Sequence, residues 1–198
     1  MRTLEATWIT FKVLSQAKRN KGDSFGWLLR RPFIFAAIGW YEFALLFSMR
    51  MDPKLKELAG LKAAALINCE FCIDIGSALA HSGGVTEQQL LDLPRYRTSD
   101  AYSDDEKLVI EFAEALTKTP ATDIDDIRAR LLQRFSKGQV TELASAIVFE
   151  NHRARLNQAL GIRPTGMADG MVCILPERPQ TQSNTAPLPI PPNPLQAT

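Results

Sequence analysis

The residues best suited to chemistry in this 198-residue chain are Cys69 and Cys72, which only two residues separate. Two thiols at this spacing can form a disulfide and be reduced again, which a lone cysteine cannot do. The thiolate is the reactive form of cysteine, and the first turn of a helix stabilises it through unpaired N–H groups and the helix dipole. Three residues of helix turn through about 300°, so both sulfurs share one face. The pair therefore indicates dithiol redox chemistry.

Zinc binding and a purely structural role are the alternatives for the same two thiols. A zinc site needs two further ligands, usually a second cysteine pair or paired histidines. The chain offers Cys173, His81 and His152, and none of them has a matching spacing. We therefore expect no metal and no cofactor, while inert structural thiols stay open as an alternative.

Glu57 and His152 are the two other candidate site residues. Glu57 lies twelve residues before the first cysteine, on the preceding predicted helix, where a buried carboxylate could accept and pass on a thiol proton. A solvated surface glutamate is the alternative. His152 lies on the last long predicted helix and could reach the cysteines only through the tertiary fold, with a core or interface role as its alternative.

Helix signals dominate residues 33–160, and the alternation typical of strands is scarce. Apolar periodicity predicts a helix over about 54–67. We expect Asn68 to cap a second helix that begins at the cysteine pair and ends at Gly83 and Gly84. Further helices are predicted to begin after Thr86, Ser103, Asp123 and Ser136, the last of them ending at Gly161.

Composition divides the chain into three predicted parts. Residues 1–32 form a basic N-terminal arm, residues 33–166 a helical domain that carries the cysteine pair, and residues 167–198 a proline-rich, largely disordered tail. The net charge of +1 predicts no affinity for nucleic acid. Three cysteines and the absence of a signal-peptide pattern favour a reducing, cytoplasmic location.

The longest apolar run, residues 33–49, is interrupted by Glu42. A membrane span needs about 20 apolar residues, so this run is short and carries a charge. We predict a buried or oligomer-interface helix, and we do not expect membrane contact. Arg30 and Arg31 just before the run keep a membrane-associated helix open as the alternative.

The order of these features is similar to a known pattern. Glu57 is followed by an apolar helical stretch, then Asn68, then Cys69 and Cys72. This spacing resembles the core motif of the alkylhydroperoxidase D and carboxymuconolactone decarboxylase superfamily. The resemblance continues in residues 73–80, 97–100, 112–117 and 150–162, and it covers roughly residues 33–166.

The resemblance implies an all-α, alkylhydroperoxidase D-like helical bundle that assembles as a homo-oligomer. It also implies peroxidase activity on small hydroperoxides. In that family the second cysteine attacks the peroxide and the first resolves, so these roles fall on Cys72 and Cys69, with Glu57 in the proton relay. Electrons come from a dithiol reductant such as a lipoylated protein.

The chain departs from the family pattern at Gly76. Active peroxidases of the family usually carry a histidine four residues after the second cysteine, and its imidazole helps to remove the thiol proton. His81 is a poor substitute, because nine residues of helix place it about 180° from Cys72. Asp74 is about 200° from Cys72, and we predict a structural or interface role for it.

Three functions therefore follow as hypotheses. The first is a dithiol antioxidant oxidoreductase that reduces hydroperoxides through a Cys69–Cys72 disulfide cycle. The second is a lyase of the carboxymuconolactone decarboxylase type, although that branch does not depend on a cysteine pair. The third is a non-catalytic, redox-sensing oligomeric protein whose dithiol controls association.

Overall fold

The computed structural model describes residues 2–177, and their side chains from residue 7 onward. Within this part the chain is all-helical, as predicted, with no β-strand and one short 3₁₀ helix at Leu93–Arg95. The α-helices are α1 (Arg2–Ser15), α2 (Asp23–Leu28), α3 (Pro32–Phe47), α4 (Pro53–Ile67), α5 (Glu70–Ser82), α6 (Glu87–Asp92), α7 (Asp104–Thr117), α8 (Ile124–Arg134) and α9 (Lys137–Ala159).

Helix α4 lies at the centre of the bundle, against α5, α7 and α9. It buries seven of its fifteen side chains, on more than one face. A helix that is apolar on several sides is stable only when other helices surround it. Its small residues, such as Ala59, Ala64 and Ala65, let the neighbouring helices approach closely. The apolar and small residues of α4 thus explain its central position.

The turn between α4 and α5 corrects one prediction. Asn68 adopts a left-handed conformation, with φ of 60°, and ends α4 instead of starting α5. Asparagine tolerates this conformation better than most residues. The connection is only two residues long, so Cys69 takes the N-cap position, and its sulfur accepts a hydrogen bond from the Cys72 N–H. Cys69 therefore caps α5, and Cys72 lies in its first turn.

The other predicted helix starts are close to those in the structure. Thr86, Ser103 and Ser136 each form a reciprocal capping box with the residue three positions later. Asp123 precedes α8 as expected, although its side chain makes no capping hydrogen bond. These starts depend on contacts within four residues, which explains why the sequence alone could predict them.

Parts of the predicted basic N-terminal arm and of the predicted disordered tail pack on the helical domain. Helix α1 lies against α5, and Val13 is buried there, only 1% exposed, beside Met167 and Ala168. Residues 165–168 are held by the buried carboxylate of Asp74, which accepts hydrogen bonds from four of their backbone N–H groups. These hydrogen bonds give Asp74 a structural role, as predicted. The rest of the predicted tail, residues 178–198, lies outside the described residues.

Helix α3 is not buried within a single chain. The prediction that the apolar run forms a buried helix is therefore wrong for one copy of the chain. None of its residues falls in the fully buried class. It lies along α9, where the ring of Tyr41 stacks on that of Phe149 with centroids 4.2 Å apart. Among the described residues, no helix has the length and apolar character needed to cross a membrane.

Candidate active site

The structure joins Cys69 and Cys72 in a disulfide at the start of α5, with their Cα atoms 5.2 Å apart. Both side chains belong to the hydrophobic core, and they are 2% and 5% exposed. The spacing that suggested a reversible dithiol thus does place the two sulfurs within bonding distance. A pair so well shielded reacts only with molecules that reach it through a local opening.

Two N–H donors point at the sulfurs. The backbone N–H of Cys72 donates to Cys69 Sγ over 3.2 Å, and Asn157 Nδ2 on α9 donates to Cys72 Sγ over 3.7 Å. Donors of this kind stabilise a thiolate once the disulfide is reduced. The contact of Asn157 with Cys72 could not be predicted from the sequence, because no local pattern indicates that α9 returns to α5 at this point.

The local opening lies beside Cys69. A depression of about 270 Å³ is bounded by the α4–α5 turn and by the end of α9. Gln158 ties these two walls together, since its Nε2 donates to the carbonyls of Ile67 and Asn68 over 2.7 and 3.1 Å. A larger depression of about 420 Å³ lies around Tyr96 and Arg130, but neither cysteine lines it. The residues of the first depression are Asn68, Cys69, Glu70, Gln158, Gly161, Ile162 and Arg163.

The carboxyl group of Glu57 is surrounded by protein although part of its side chain stays accessible. Burial raises its pKa from 4.5 to about 7, the charge of Arg153 lowers it, and the charge of Glu150 raises it further. A group with this pKa can both accept and donate a proton near neutral pH. Glu57 is therefore not the solvated surface glutamate of the alternative interpretation.

Arg153 is the centre of an ion cluster next to Glu57. Its guanidinium group contacts Glu42 of α3 at 3.0 Å and Glu150 of α9 at 2.6 Å. Burial raises the pKa of the Glu150 carboxyl, and the Arg153 charge opposes that shift. The cluster thus joins α3 to α9, because these two helices lie side by side.

Glu57 and the cysteines lie at different levels of the α4–α5 hairpin. Gly76 faces Leu61 of α4, and a Cβ atom added to Gly76 would lie 2.9 Å from Leu61 Cδ2. Gly76 is one turn from Cys72, and Leu61 is one turn from Glu57. A side chain at position 76 would therefore require the Leu61 side chain to move. Helix α9 also connects Glu57 with the cysteines. Asn157, which donates to Cys72, is one helical turn from Arg153, whose charge acts on Glu57.

The two histidines lie elsewhere. His152 is exposed and stacks on Phe149, with ring centroids 5.5 Å apart. Five residues of helix place it about 140° from Asn157 around α9, so the structure does not bring it to the cysteines. His81 Nε2 is 2.8 Å from the carbonyl oxygen of Val172, on the outer end of α5. Among the described residues, no cluster of three possible metal ligands is present.

Comparison with known proteins agrees with this architecture. Residues 33–115 match the model of the carboxymuconolactone decarboxylase family. The uncharacterized protein YnjA of Escherichia coli strain K12 is 35% identical over 156 residues, which cover 77% of this chain and 81% of that protein. The uncharacterized protein YdfG of Bacillus subtilis strain 168 is 29% identical over 54% of this chain and 74% of its own length. The chain therefore belongs to the carboxymuconolactone decarboxylase family.

Two solved structures of other proteins have the same fold. The debrominase Bmp8 superposes with a TM-score of 0.65 and 19% identity, over 78% of this chain and 87% of its own. A protein of unknown function from Agrobacterium tumefaciens, connected by name with the antioxidant defence protein AhpD, gives a TM-score of 0.64 and 23% identity over 70% and 94%. At these identities the likeness concerns the fold alone.

Proposed function

We propose that this protein is a dithiol oxidoreductase that reduces hydroperoxides through a Cys69–Cys72 disulfide cycle. One observation carries the proposal: the two sulfurs lie within bonding distance at the first turn of α5, each with an N–H donor. The Cys72 N–H bond also caps α5, so the contact that distinguishes a reactive pair from a purely structural one is the Asn157 donor at Cys72. Membership of a family that includes enzymes supports catalysis but does not select the reaction.

The reaction divides into two balanced halves. In the first half, the thiolate of Cys72 attacks one oxygen of the hydroperoxide, the O–O bond breaks, and an alcohol leaves after taking up a proton. The resulting sulfenic acid of Cys72 is attacked by the Cys69 thiol, which releases water and forms the disulfide. In the second half, a dithiol reductant returns two electrons and two protons and is itself oxidised to a disulfide.

The assignment of roles follows the resemblance and is supported by position. Cys72 has the amide of Asn157 beside its sulfur, and this donor would stabilise the attacking thiolate. Cys69 borders the open depression, which would expose its side of the disulfide to the reductant. Glu57, whose pKa is about 7, would exchange protons with the site across the Leu61–Gly76 contact, through water or through movement of the leucine.

The cycle also requires a particular kind of reductant and a particular compartment. A dithiol such as a lipoylated protein has to reach the depression beside Cys69, and the disulfide has to be reduced repeatedly. Both requirements are met in a reducing compartment, and we propose the cytoplasm. His152 is not assigned a step, because it lies on a different face of α9.

Steady-state turnover of cumene hydroperoxide with dihydrolipoamide as electron donor tests the proposal. We expect consumption of one dithiol per hydroperoxide in the wild type and in Cys173→Ser, which keeps the pair and removes the free thiol. Turnover that survives Cys72→Ser would overturn the mechanism. Turnover of carboxymuconolactone that survives the same substitution would replace it with the lyase hypothesis.

A further inference from the structure

The C-terminal end of α9 contacts the surroundings of both cysteines through two successive residues. Asn157 Nδ2 donates to Cys72 Sγ, whereas Gln158 Nε2 donates to two carbonyls at the α4–α5 turn, which immediately precedes Cys69. Successive residues of a helix point about 100° apart, so these two amides reach different targets. The two hydrogen bonds of Gln158 form a bridge, the Gln158 bridge, between the end of α9 and the turn. One helix end is therefore placed to influence both sulfurs.

The chain reverses at Gly161, just after α9, and this turn shapes the depression beside Cys69. Gly161 adopts a left-handed conformation with φ of 66°, which glycine accepts without the steric cost of a side chain. Ile162 is then buried, and its N–H donates to the Asn157 carbonyl over 2.9 Å. The turn thus brings Ile162 and Arg163 back beside Cys69 as part of the wall of the depression.

The Gln158 bridge closes this wall against the α4–α5 turn with bonds that can open. The carbonyls of Ile67 and Asn68 lie at the end of α4, where the helix has no further N–H groups to offer them. Gln158 and Asn68 are both exposed, so water can replace the side-chain amide when the two bonds break. Opening therefore leaves the carbonyls hydrated instead of unpaired.

Cys69 is the sulfur that a reductant can attack most favourably, yet it is shielded. It borders the depression, but its side chain is only 2% exposed while the Gln158 bridge is closed. Attack at Cys69 makes Cys72 the leaving group, and the Asn157 amide stabilises the thiolate that leaves. A leaving thiol of lower pKa departs faster, and access to the attacked sulfur limits the rate. The arrangement thus favours attack at Cys69 but closes the path to it.

We infer that Gln158 is a positioning residue for the reductive step, and that the Gln158 bridge must open before a dithiol donor can attack Cys69 Sγ. A thiolate of the donor then attacks this sulfur, the S–S bond breaks, and Cys72 leaves as a thiolate beside Asn157. The donor's second thiolate attacks the donor sulfur of the mixed disulfide and releases Cys69. The donor ends as a disulfide, and its two thiol protons pass to the two protein thiolates. The inference rests on the proposed cycle, but its test measures disulfide reduction alone, so the two can fail separately.

The rate at which dithiothreitol reduces the oxidised full chain tests the role of Gln158, with the released thiols counted by alkylation and mass spectrometry. We expect Gln158→Ala to be reduced at least about fivefold faster than the wild type, because the two hydrogen bonds of the closed state are lost. The control is Gln133→Ala, which truncates an exposed glutamine of α8 and should leave the rate unchanged. A rate for Gln158→Ala within twofold of the wild type would overturn the inference.

Cys173 separates opening of the Gln158 bridge from a general loosening of the fold. This free thiol is partly buried, and its sulfur contacts the carbonyls of Ala168 and Met171. In the oxidised protein, Cys173 should be alkylated at the same rate in the wild type and in Gln158→Ala. Alkylation that accelerates by the same factor as disulfide reduction would contradict a specific role for Gln158.

A second variant, Gln158→Glu, makes the bridge depend on pH. An ionised carboxylate cannot donate a hydrogen bond, whereas a protonated carboxyl group donates one, and an exposed glutamate has a pKa of about 4.3. With a water-soluble phosphine as reductant, Gln158→Glu should be reduced faster than the wild type at pH 7, and the ratio of the two rates should fall at least about twofold at pH 4. The ratio cancels the effect of pH on the phosphine. A ratio that is the same at both pH values would contradict hydrogen-bond donation by Gln158 as the cause.

Discussion

Glu57 and Glu114 are two carboxylates at the same bundle core, and their surroundings drive them in opposite directions. Burial pulls the pKa of Glu114 up, but hydrogen bonds from Lys118 and Arg97 and the charge of Lys62 outweigh it and lower the pKa to about 2. Burial raises the pKa of Glu57 to about 7, and Arg153 compensates only in part. Three cations thus keep Glu114 ionised.

Of these two carboxylates, only Glu57 is available for proton transfer near neutral pH. A group held far from neutral pH by several ion pairs is a structural element, and its cations sit around it: Lys62 is fully buried and reaches Glu114 at 3.8 Å. A group that titrates near pH 7 can transfer protons, and such groups concentrate at functional sites. The following predictions test this division between a structural and a reactive region.

The largest effect is expected at the cysteine pair. Cys72→Ser removes the attacking sulfur and should lower hydroperoxide turnover by on the order of 10³-fold or more, as loss of a nucleophile does in other enzymes. The measurement is the initial rate with cumene hydroperoxide and excess dithiol. Cys173→Ser and Glu114→Gln, assayed at neutral pH while folded, should stay near the wild-type rate. A comparable loss in Glu114→Gln would break the division.

Glu57→Gln should slow turnover by about 10²-fold, since a positioned acid–base group contributes 10²–10⁴-fold. As the base that takes the thiol proton, Glu57 has to be ionised, so the wild-type kcat/KM should rise with pH through about 7. The variant should lack this ionisation. The check is kcat/KM between pH 5 and 9. An unchanged profile in Glu57→Gln would remove Glu57 from the mechanism.

Stability against pH should separate the two carboxylates by sign. The pKa of Glu114 is lowered to about 2, so its contribution is present above the unfolded value of 4.5 and is lost as pH falls toward 2. The pKa of Glu57 is raised, so its contribution is present below 4.5 and is lost as pH rises through about 7.

Urea unfolding at pH 8 therefore gives opposite expectations for the two variants. Glu114→Gln should lower the free energy of unfolding by about 2 kcal/mol, because it removes the ion pairs and leaves Lys62 with less compensation. Glu57→Gln should be as stable as the wild type or more stable. Destabilisation of similar size in both variants would show that the protein does not stabilise the ionised form of one carboxylate over that of the other.

The smallest effect is expected at His152. This histidine is exposed and stacks on Phe149, away from the Asn157 face of α9. His152→Ala should change turnover by no more than about twofold, as surface substitutions usually do. A tenfold loss would mean that the sequence prediction of a catalytic role for His152 was correct and that α9 rearranges during the reaction.

The sequence predicted the parts of the molecule that local contacts determine. Capping boxes fix the starts of α6, α7 and α9 within four residues, and the cysteine spacing fixes the sulfur pair. Two local errors occurred: α1 and α2 in the N-terminal arm were not predicted, and Asn68 ends α4 in a left-handed conformation. Capping preferences did not distinguish an asparagine that ends one helix from one that begins the next.

The surroundings of the site could not be predicted because they connect distant parts of the chain. Asn157 and Cys72 are 85 residues apart, and Arg153 and Glu42 are 111 residues apart. Helix periodicity shows which residues share a face but not which helix that face will meet. The packing of residues 167–177 was missed for the same reason, since Asp74 that holds the preceding turn is about 90 residues away.

The most direct test of the proposed disulfide cycle is to count the free thiols of fully reduced protein before and after one equivalent of cumene hydroperoxide. We predict the rapid loss of two thiols per chain, with mass mapping to a Cys69–Cys72 link and Cys173 still free. Unchanged thiols, or oxidation confined to Cys173, would contradict the proposed peroxidase cycle. That outcome would indicate that leucine and glycine in place of a histidine relay have disabled this chemistry.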